Sequence, residues 1–276
     1  MRRLLHLKSK KHLLAAPYAA WAVIFIVVPL CMILYYGLTD KSGAFTLKNI
    51  LAIATPGHAR ALWRSILLSL ISTVLCFLLA YPLAMILAEK KGNSHGFIIL
   101  IFILPMWMNF LLRTLAWQTL LEKTGVINGI LAFLGLPALR IINTSYAIVL
   151  GMVYNFLPFM VLPLYNALSK IDENVIHAAE DLGANRIQTF FHIILPLSVP
   201  GIISGVTMVF VPALTTFVIS TLLGGSKVLL IGNVIEQEFT QASNWHLGSG
   251  LSIVLMIFIL INMVLTALFE KDESGT

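Results

Sequence analysis

This chain has little charge. Only 11% of its 276 residues are Asp, Glu, Lys or Arg, 59% are hydrophobic, and the mean hydropathy is +0.93. Soluble domains carry about a quarter charged residues, so this composition excludes an ordinary water-soluble domain and places the chain in a bilayer. The net charge of +6 and pI near 9.4 do not indicate nucleic acid. The basic residues gather beside apolar runs, as Arg2, Arg3, Lys8, Lys10 and Lys11 do before the first one, which is a topology signal.

Cysteine is nearly absent too. Cys31 and Cys76 lie in apolar runs without C-x-x-C spacing, which excludes a disulfide framework or thiolate metal site and leaves two small buried hydrophobes. G-x-x-x-x-G-K-[ST] is missing, so the chain holds no ATP by a P-loop, and "GGSK" at Gly224 to Lys227 is only a loop. H-E-x-x-H and G-x-S-x-G are missing, and the seven histidines are scattered without ligand spacing. No nucleophile and base meet at one depth, as an intramembrane enzyme requires. The spans hold no carboxylate, which argues against a proton-coupled secondary transporter or a channel with its own ion site. Neither a metal nor a cofactor is expected on this chain.

What is present is apolar sequence in lengths of about 20 residues, enough to cross a membrane as a helix. Six stretches qualify, roughly 17–38, 63–88, 97–121, 145–168, 197–223 and 247–269. They predict an all-α membrane protein of six transmembrane helices. The basic start followed by an apolar run is the order found in a leader, but the run from Tyr18 to Leu38 is too long and closes on no small-x-small site, so it is an uncleaved first span. With the N-terminus inside, ten Lys and Arg lie on the cytoplasmic side and seven outside, which makes both termini cytoplasmic. The chain then divides into a basic N-terminal segment (1–16), one transmembrane domain (17–270) with a cytoplasmic loop at about 169–196, and a tail (271–276).

Pro29, Pro82, Pro105, Pro158, Pro163 and Pro212 fall in or near the ends of spans, where each frees a carbonyl that a neighbour must satisfy. "GIISG" (Gly201 to Gly205) puts two glycines on one helix face and predicts close helix packing. Arg113 is the single charged residue in the interior of the spans. Two readings are open: it snorkels to the outer headgroups, or it pairs with Glu236 or Glu238 and holds an outer gate. "LLIGNVIEQEF" (Leu229 to Phe239) is too short to span, and reads either as a hairpin dipping into the protein or as an amphipathic surface helix.

One stretch departs from the lipid-soluble pattern, "HAAEDLGANRIQTFFHIILP" (His177 to Pro196). Asp172 can cap a helix whose first turn holds Glu173. Val175, Ile176, Ala178, Ala179 and Leu182 then make an apolar stripe, Gly183 supplies a stop, and a second helix runs from about Arg186 towards Pro196. The small residues Ala178, Ala179 and Gly183 would let a partner approach the backbone, while the same amphipathicity suits the headgroup layer.

The spacing A-A-x-x-x-G, nine residues, then I-x-L-P, carried by Ala178, Ala179, Gly183, Ile193, Leu195 and Pro196, resembles the EAA loop of permease subunits in binding-protein-dependent ABC importers. "ILPMWMNFLLRTLAW", "NFLPFMVLPLYNALSKID" and "LLGGSKVLLIGNVIEQEF" resemble the spermidine/putrescine (PotB-type) branch of that family. The resemblance implies a type I importer fold in the bacterial cytoplasmic membrane and transport of polyamines by alternating access. It implies a second related permease (PotC type), two copies of a cytosolic ATPase (PotA type) that bind the ATP and Mg, and an extracytoplasmic polyamine-binding protein (PotD type). His177, Ala178, Ala179, Glu180, Asp181, Leu182, Gly183 and Arg186 would form the ATPase-coupling element, with His177 standing where the family usually has Glu. A polyamine is a chain of cations suited to acids and aromatic faces. The path or gate candidates are therefore Trp107, Tyr154, Phe156, Phe210, Phe217, Glu236 and Glu238, with Arg113. The same importer class serves iron, thiamine, phosphonate or opines, and such a solute is the alternative.

Overall fold

Runs rich in Leu, Ile, Ala and Met favour helices, and the only β geometry among the described residues is one antiparallel bridge between Thr39 and Phe45. The computed structural model describes residues 16–89, 104 and 106–274. Its helices are α1 (Ala16–Leu38), α2 (Lys48–Leu51), α3 (Pro56–Glu89), α4 (Phe110–Leu121), α5 (Val126–Phe133), α6 (Ser145–Leu168), α7 (Glu173–Asp181), α8 (Arg186–Leu197), α9 (Val199–Thr215), α10 (Val218–Gly224), α11 (Ile231–Thr240) and α12 (Trp245–Ser274). By length and hydropathy α1, α3, α6 and α12 can each cross a membrane, and the bent pair α8 and α9 makes a fifth candidate.

Two of the six expected spans take a broken form among the described residues. The stretch 97–121 begins outside the described residues, and its continuous helix starts only at Phe110. Asn109 turns out of helical geometry and caps α4, its Oδ1 accepting from the N–H groups of Leu111 (2.9 Å) and Leu112 (3.3 Å). Twelve residues reach only about 18 Å, short of the hydrocarbon core. The stretch 197–223 is broken at Thr216 and Phe217 into α9 and α10. At its other end α9 continues back through a 63° bend into α8.

The chain folds as two compact units. The first holds the described residues up to His58 together with Ile235–Ile257. Within it the most apolar stretch of α1 has no buried residue, Gly37 near its end is buried, and a short π-helical turn (Val23–Val27) lies inside it. The carbonyls freed where α1 ends are collected by side chains. Asn49 Nδ2 donates to Thr39 O (2.9 Å) and Gly37 O (3.3 Å), and His246 Nδ1 lies 2.8 Å from Thr39 O; since a carbonyl only accepts, that nitrogen carries the proton. A side chain at Gly37 would strike Ile253 and the Gly250 backbone. In the turn that follows, Asp40 Oδ1 accepts from the Ser42 hydroxyl (2.5 Å) and the N–H groups of Ser42 and Ala44. Those bonds, the hydroxyl first, hold its carboxyl below the usual value.

The second unit, Ala59–Val234 with the chain from Phe258 onward, is built around α6. Ile148, Met152, Met160 and Leu164 of α6 are fully buried with Val209 of α9, Ile219 and Leu223 of α10, and Cys76 and Ala80 of α3. As "GIISG" predicts, α9 packs against α6 through its glycines: a Cβ on Gly201 would meet Ala167 and Pro163 O, and one on Gly205 would meet Met160. Buried Ser65, Ser69, Ser72 and Thr73 give α3 a small-residue face. Their hydroxyls are satisfied: Thr73 donates to Ser69 O and Ser72 reaches Met152 Sδ. Cys76 is the buried small hydrophobe expected of it, whereas Cys31 lies on the exposed surface of α1.

Candidate functional site

The amphipathic element folds as its sequence indicates. Asp172 Oδ1 accepts from Asn174 N (3.0 Å) at the start of α7, with Glu173 in the first turn. The helix stops at Gly183, whose φ of +88° is left-handed. Gly183 N donates to Glu180 O (2.9 Å) and Ala184 N to Ala179 O (3.0 Å), the two bonds of a Schellman stop. A capping box opens α8 at once, Gln188 N to Asn185 Oδ1 (2.9 Å) and Asn185 N to Gln188 Oε1 (2.8 Å). Two short helices are thereby fixed around a tight corner.

The corner presents apolar side chains outward. Leu182 is 89% exposed, and Val175, Ile187 and Phe191 are exposed as well. His177 and Glu180 are exposed one turn apart, with His177 Nδ1 3.5 Å from Glu180 Oε2, an ion pair only when the imidazole is protonated. Ala178, Asp181, Gly183 and Arg186 are also on the outside. Ala179 is not: it is 8% exposed, although it shares a helix face with Val175 and Leu182, because the rest of the chain covers that edge of the stripe. The surface a partner could meet is therefore Ala178, Leu182 and Gly183 flanked by charge.

At its far end the element is tied to α3. Tyr81 places its hydroxyl 2.8 Å from Ser198 Oγ at the bend between α8 and α9, and its ring lies edge-on to Phe190 of α8 (5.7 Å). Tyr81 escaped the sequence reading. The signal that would have found it is a lone polar atom deep in an apolar run. A groove of about 610 Å³ opens beside the start of α7, lined by Asn166, Lys170, Asp172, Leu197, Ser204 and Met208.

The path candidates are not alike in their surroundings. Trp107 is 81% exposed, Phe217 is exposed, and Tyr154 is accessible with its ring edge-on to Trp117 (5.2 Å). Phe156 and Phe210 are buried, against Phe110 (6.5 Å) and Phe258 (6.4 Å). Glu236 is half-buried and accepts from Thr240 Oγ1 (2.9 Å); Glu238 is half-buried on the same helix. Arg113 is 7% exposed, and its Nε and Nη1 are buried with no hydrogen-bond partner among the described residues. Protein encloses it, so it does not extend to a headgroup layer. Each such unmet donor costs about 1–3 kcal/mol when dry.

The segment Leu229 to Phe239 is buried at its start and helical from Ile231. Leu230, Ile231, Gly232 and Asn233 are buried in the second unit, and α11 then runs out towards half-exposed residues. Ile231 N donates to Ser65 Oγ (2.8 Å). Asn233 staples the break after α9: its Nδ2 donates to Phe217 O (3.1 Å) and Thr221 Oγ1 (2.8 Å), and its Oδ1 accepts from Ser220 Oγ (2.5 Å) and Leu230 N (3.1 Å). Nothing in the local sequence marks Asn233 beyond being polar in an apolar run.

Comparison with known proteins bears on this arrangement. Residues 13–271 match the family model described as the binding-protein-dependent transport system inner membrane component. The spermidine/putrescine transport system permease protein PotB of Haemophilus influenzae is 38% identical over 248 residues, covering 87% of this chain and 87% of that protein. PotB of Escherichia coli K12 is also 38% identical, over 86% of this chain and 89% of its own length. Among solved structures, a chain of the bacterial alginate ABC transporter, crystallised with its alginate pentasaccharide-bound periplasmic protein, superposes with a TM-score of 0.79 at 17% identity, covering 96% of this chain and 94% of that one. At that identity the likeness speaks for the fold.

Proposed function

The chain belongs to the family of binding-protein-dependent transport system inner membrane components, and on that premise we propose that it is the permease subunit of an ATP-driven inner-membrane importer of the polyamines spermidine and putrescine. The observation that carries the solute class is the 38% identity to PotB proteins along nearly nine-tenths of the chain. The subunit is not itself an enzyme. It works with an ATPase and a solute-binding protein, and we assign these as two copies of a PotA-type ATPase, which binds the ATP and Mg, and a PotD-type extracytoplasmic protein. A PotC-type permease completes the path.

In this reading α7 is the coupling helix, on the cytoplasmic side. Its exposed face, with Leu182 and Ala178 at the centre and His177, Glu180, Asp181 and Arg186 around them, enters a groove of the ATPase. An exposed leucine at the tip of an otherwise polar helix suits a docked rather than a solvated surface. Closure of the ATPase dimer moves α7 and α8, and the bend at Ser198 carries that motion into α9, so the path alternates between inward-facing and outward-facing forms. Trp107, Tyr154 and Phe217 offer accessible aromatic faces to an ammonium chain.

The test is ATP hydrolysis by the chain reconstituted in lipid with its co-encoded permease and ATPase, with the binding protein empty or loaded. Stimulation by the spermidine- or putrescine-loaded protein is expected. Assembly without polyamine stimulation would discard the solute, and failure to assemble with any ATPase would discard the importer. Within the same system Tyr81→Phe keeps the ring against Phe190 and removes only the bond to Ser198. Uptake is expected to fall by about fivefold, the effect of roughly 1 kcal/mol, with ATP hydrolysis retained; equal losses of both would mean Tyr81 supports folding rather than transmission.

A further inference from the structure

A cavity of about 610 Å³ opens where the end of α1 meets the start of α12. Its wall runs from Met32 and Tyr36 of α1, through Lys41, to Asn244, Trp245 and His246. All six belong to the first compact unit. The wall is set by bonds of its own. Tyr36 stands edge-on to His246 (5.3 Å) and close to Trp245 (6.4 Å), and Trp245 is edge-on to Phe239 (5.4 Å). Asn244 N donates to Glu238 O (2.8 Å), and His246 Nδ1 lies 2.8 Å from Thr39 O. A preformed cavity of this volume is in the range of small-ligand sites, about 300–1,000 Å³.

The character of the wall changes with depth. Met32 lies six residues before the end of α1 at Leu38, about 9 Å down a helix apolar enough to cross a membrane. Tyr36 and Trp245 are of the types that sit at headgroup level, and Lys41 lies beyond the helix end. The guest is therefore apolar at one end and polar at the other. A protein docking from water would leave the Met32 end unfilled. The polar end is specified as well. Lys41 Nζ, Asn244 Nδ2 and Trp245 Nε1 are donors that make no bond among the described residues. No acid stands in the wall. Asp40 is outside it, with its Oδ1 given to Ser42 and Ala44. Since Nδ1 of His246 carries the proton, Nε2 of the neutral ring accepts. The headgroup must then accept at several donors, carry negative charge towards Lys41 and donate a hydroxyl to His246. An ethanolamine headgroup would bring an ammonium against Lys41. We propose that this cavity is a binding site for one phosphatidylglycerol-type lipid. Its phosphate meets Lys41, Asn244 and Trp245, its glycerol hydroxyls reach His246 Nε2, and an acyl chain runs down past Met32, so that the lipid joins α1 to α12. The site asks nothing of the transported solute.

The experiment uses the full chain purified from its membrane with its companion subunits, delipidated in detergent and titrated with defined lipids under native mass spectrometry. Phosphatidylglycerol is expected to bind more tightly than phosphatidylethanolamine with the same acyl chains. Lys41→Gln is expected to weaken phosphatidylglycerol by about tenfold, the effect of one lost charge-assisted bond, and Lys41→Arg to retain it. Lys41 is exposed in a turn, so neither change disturbs packing. Trp245→Phe, which keeps the ring and removes one donor, gives a second reading, a loss of about threefold. Unchanged affinity in both Lys41→Gln and Trp245→Phe, or equal affinity for the ethanolamine lipid, would overturn the proposal. Free glycerol phosphate, the headgroup without chains, is expected not to compete. Were it to bind as tightly as the lipid, the cavity would be an anion site facing water and the lipid assignment would fall.

Discussion

Gly183→Val is expected to reduce uptake by at least about tenfold while leaving the permease in the membrane at its usual level. The residue holds φ at +88°, a conformation that costs an L-residue about 1–2 kcal/mol and a β-branched one more. The stop built on it consists of the bonds from Gly183 N to Glu180 O and from Ala184 N to Ala179 O. α7 has nine residues, too few to be stable alone in water, and Ala179 is its buried residue. Losing the stop therefore frees the corner that aims Leu182 outward, with little packing elsewhere to restore it. Gly183→Ala is expected to fall between the two, since alanine enters the left-handed region at a smaller cost than valine. Co-purification of the ATPase with the variant checks the cause. Undiminished uptake and co-purification in Gly183→Val would show that the corner is not a coupling element.

Asn233→Leu is expected to be the more damaging change to the fold itself, lowering the thermal midpoint by more than about 5 °C and abolishing uptake. Leucine matches the volume but strands Leu230 N–H and removes the bonds Asn233 makes to Phe217 O and to the hydroxyls of Ser220 and Thr221, which keep bonds to one another. Leu230 and Ser220 are fully buried. The stranded N–H costs about 1–3 kcal/mol and each of the other lost bonds about 1 kcal/mol, though such costs do not add simply, and several kcal/mol in a domain of this size moves the midpoint by more than that amount. Asn233→Asp keeps the acceptor and loses the two donated bonds, and is expected to be intermediate. A Glu236→Gln control, on the same helix, should leave the midpoint unchanged. If Asn233→Leu melted like the unaltered importer, the break between α9 and α10 would have to be held by something other than this side chain.

The parts of the fold written locally were legible in the sequence. Thr144 caps α6 at the edge of its apolar run, and Asp172, Gly183 and Asn185 punctuate the α7 and α8 corner with side chains and a glycine chosen for those positions. The broken spans were not legible, because the breaks are held from elsewhere or by a cap hidden in an apolar run. Thr216 and Phe217 carry neither glycine nor proline, and the break is stapled by Asn233, sixteen residues later, whose Nδ2 donates to Phe217 O. The α4 break was signalled only by Asn109 among apolar residues. For the site, periodicity showed that α7 has an apolar stripe but not which edge of it the rest of the chain covers. Ala179 turned inward, while Leu182 stayed outside. Phe156 and Phe210 looked like Tyr154 and Phe217 by type alone, and only their neighbours separate packing from accessible rings. Arg113 could be placed by depth, yet whether it met lipid or protein depended on α6.

The bend at Ser198 has a mechanical meaning. A single straight rod running from α8 into α9 could respond to a push at its base only by sliding along its own axis, dragging polar ends into hydrocarbon. With 63° between the two segments, and with Tyr81 holding the elbow to α3, the same push acts as a crank: it produces torque on α9 about the elbow, and the glycine face against α6 is the bearing on which it turns.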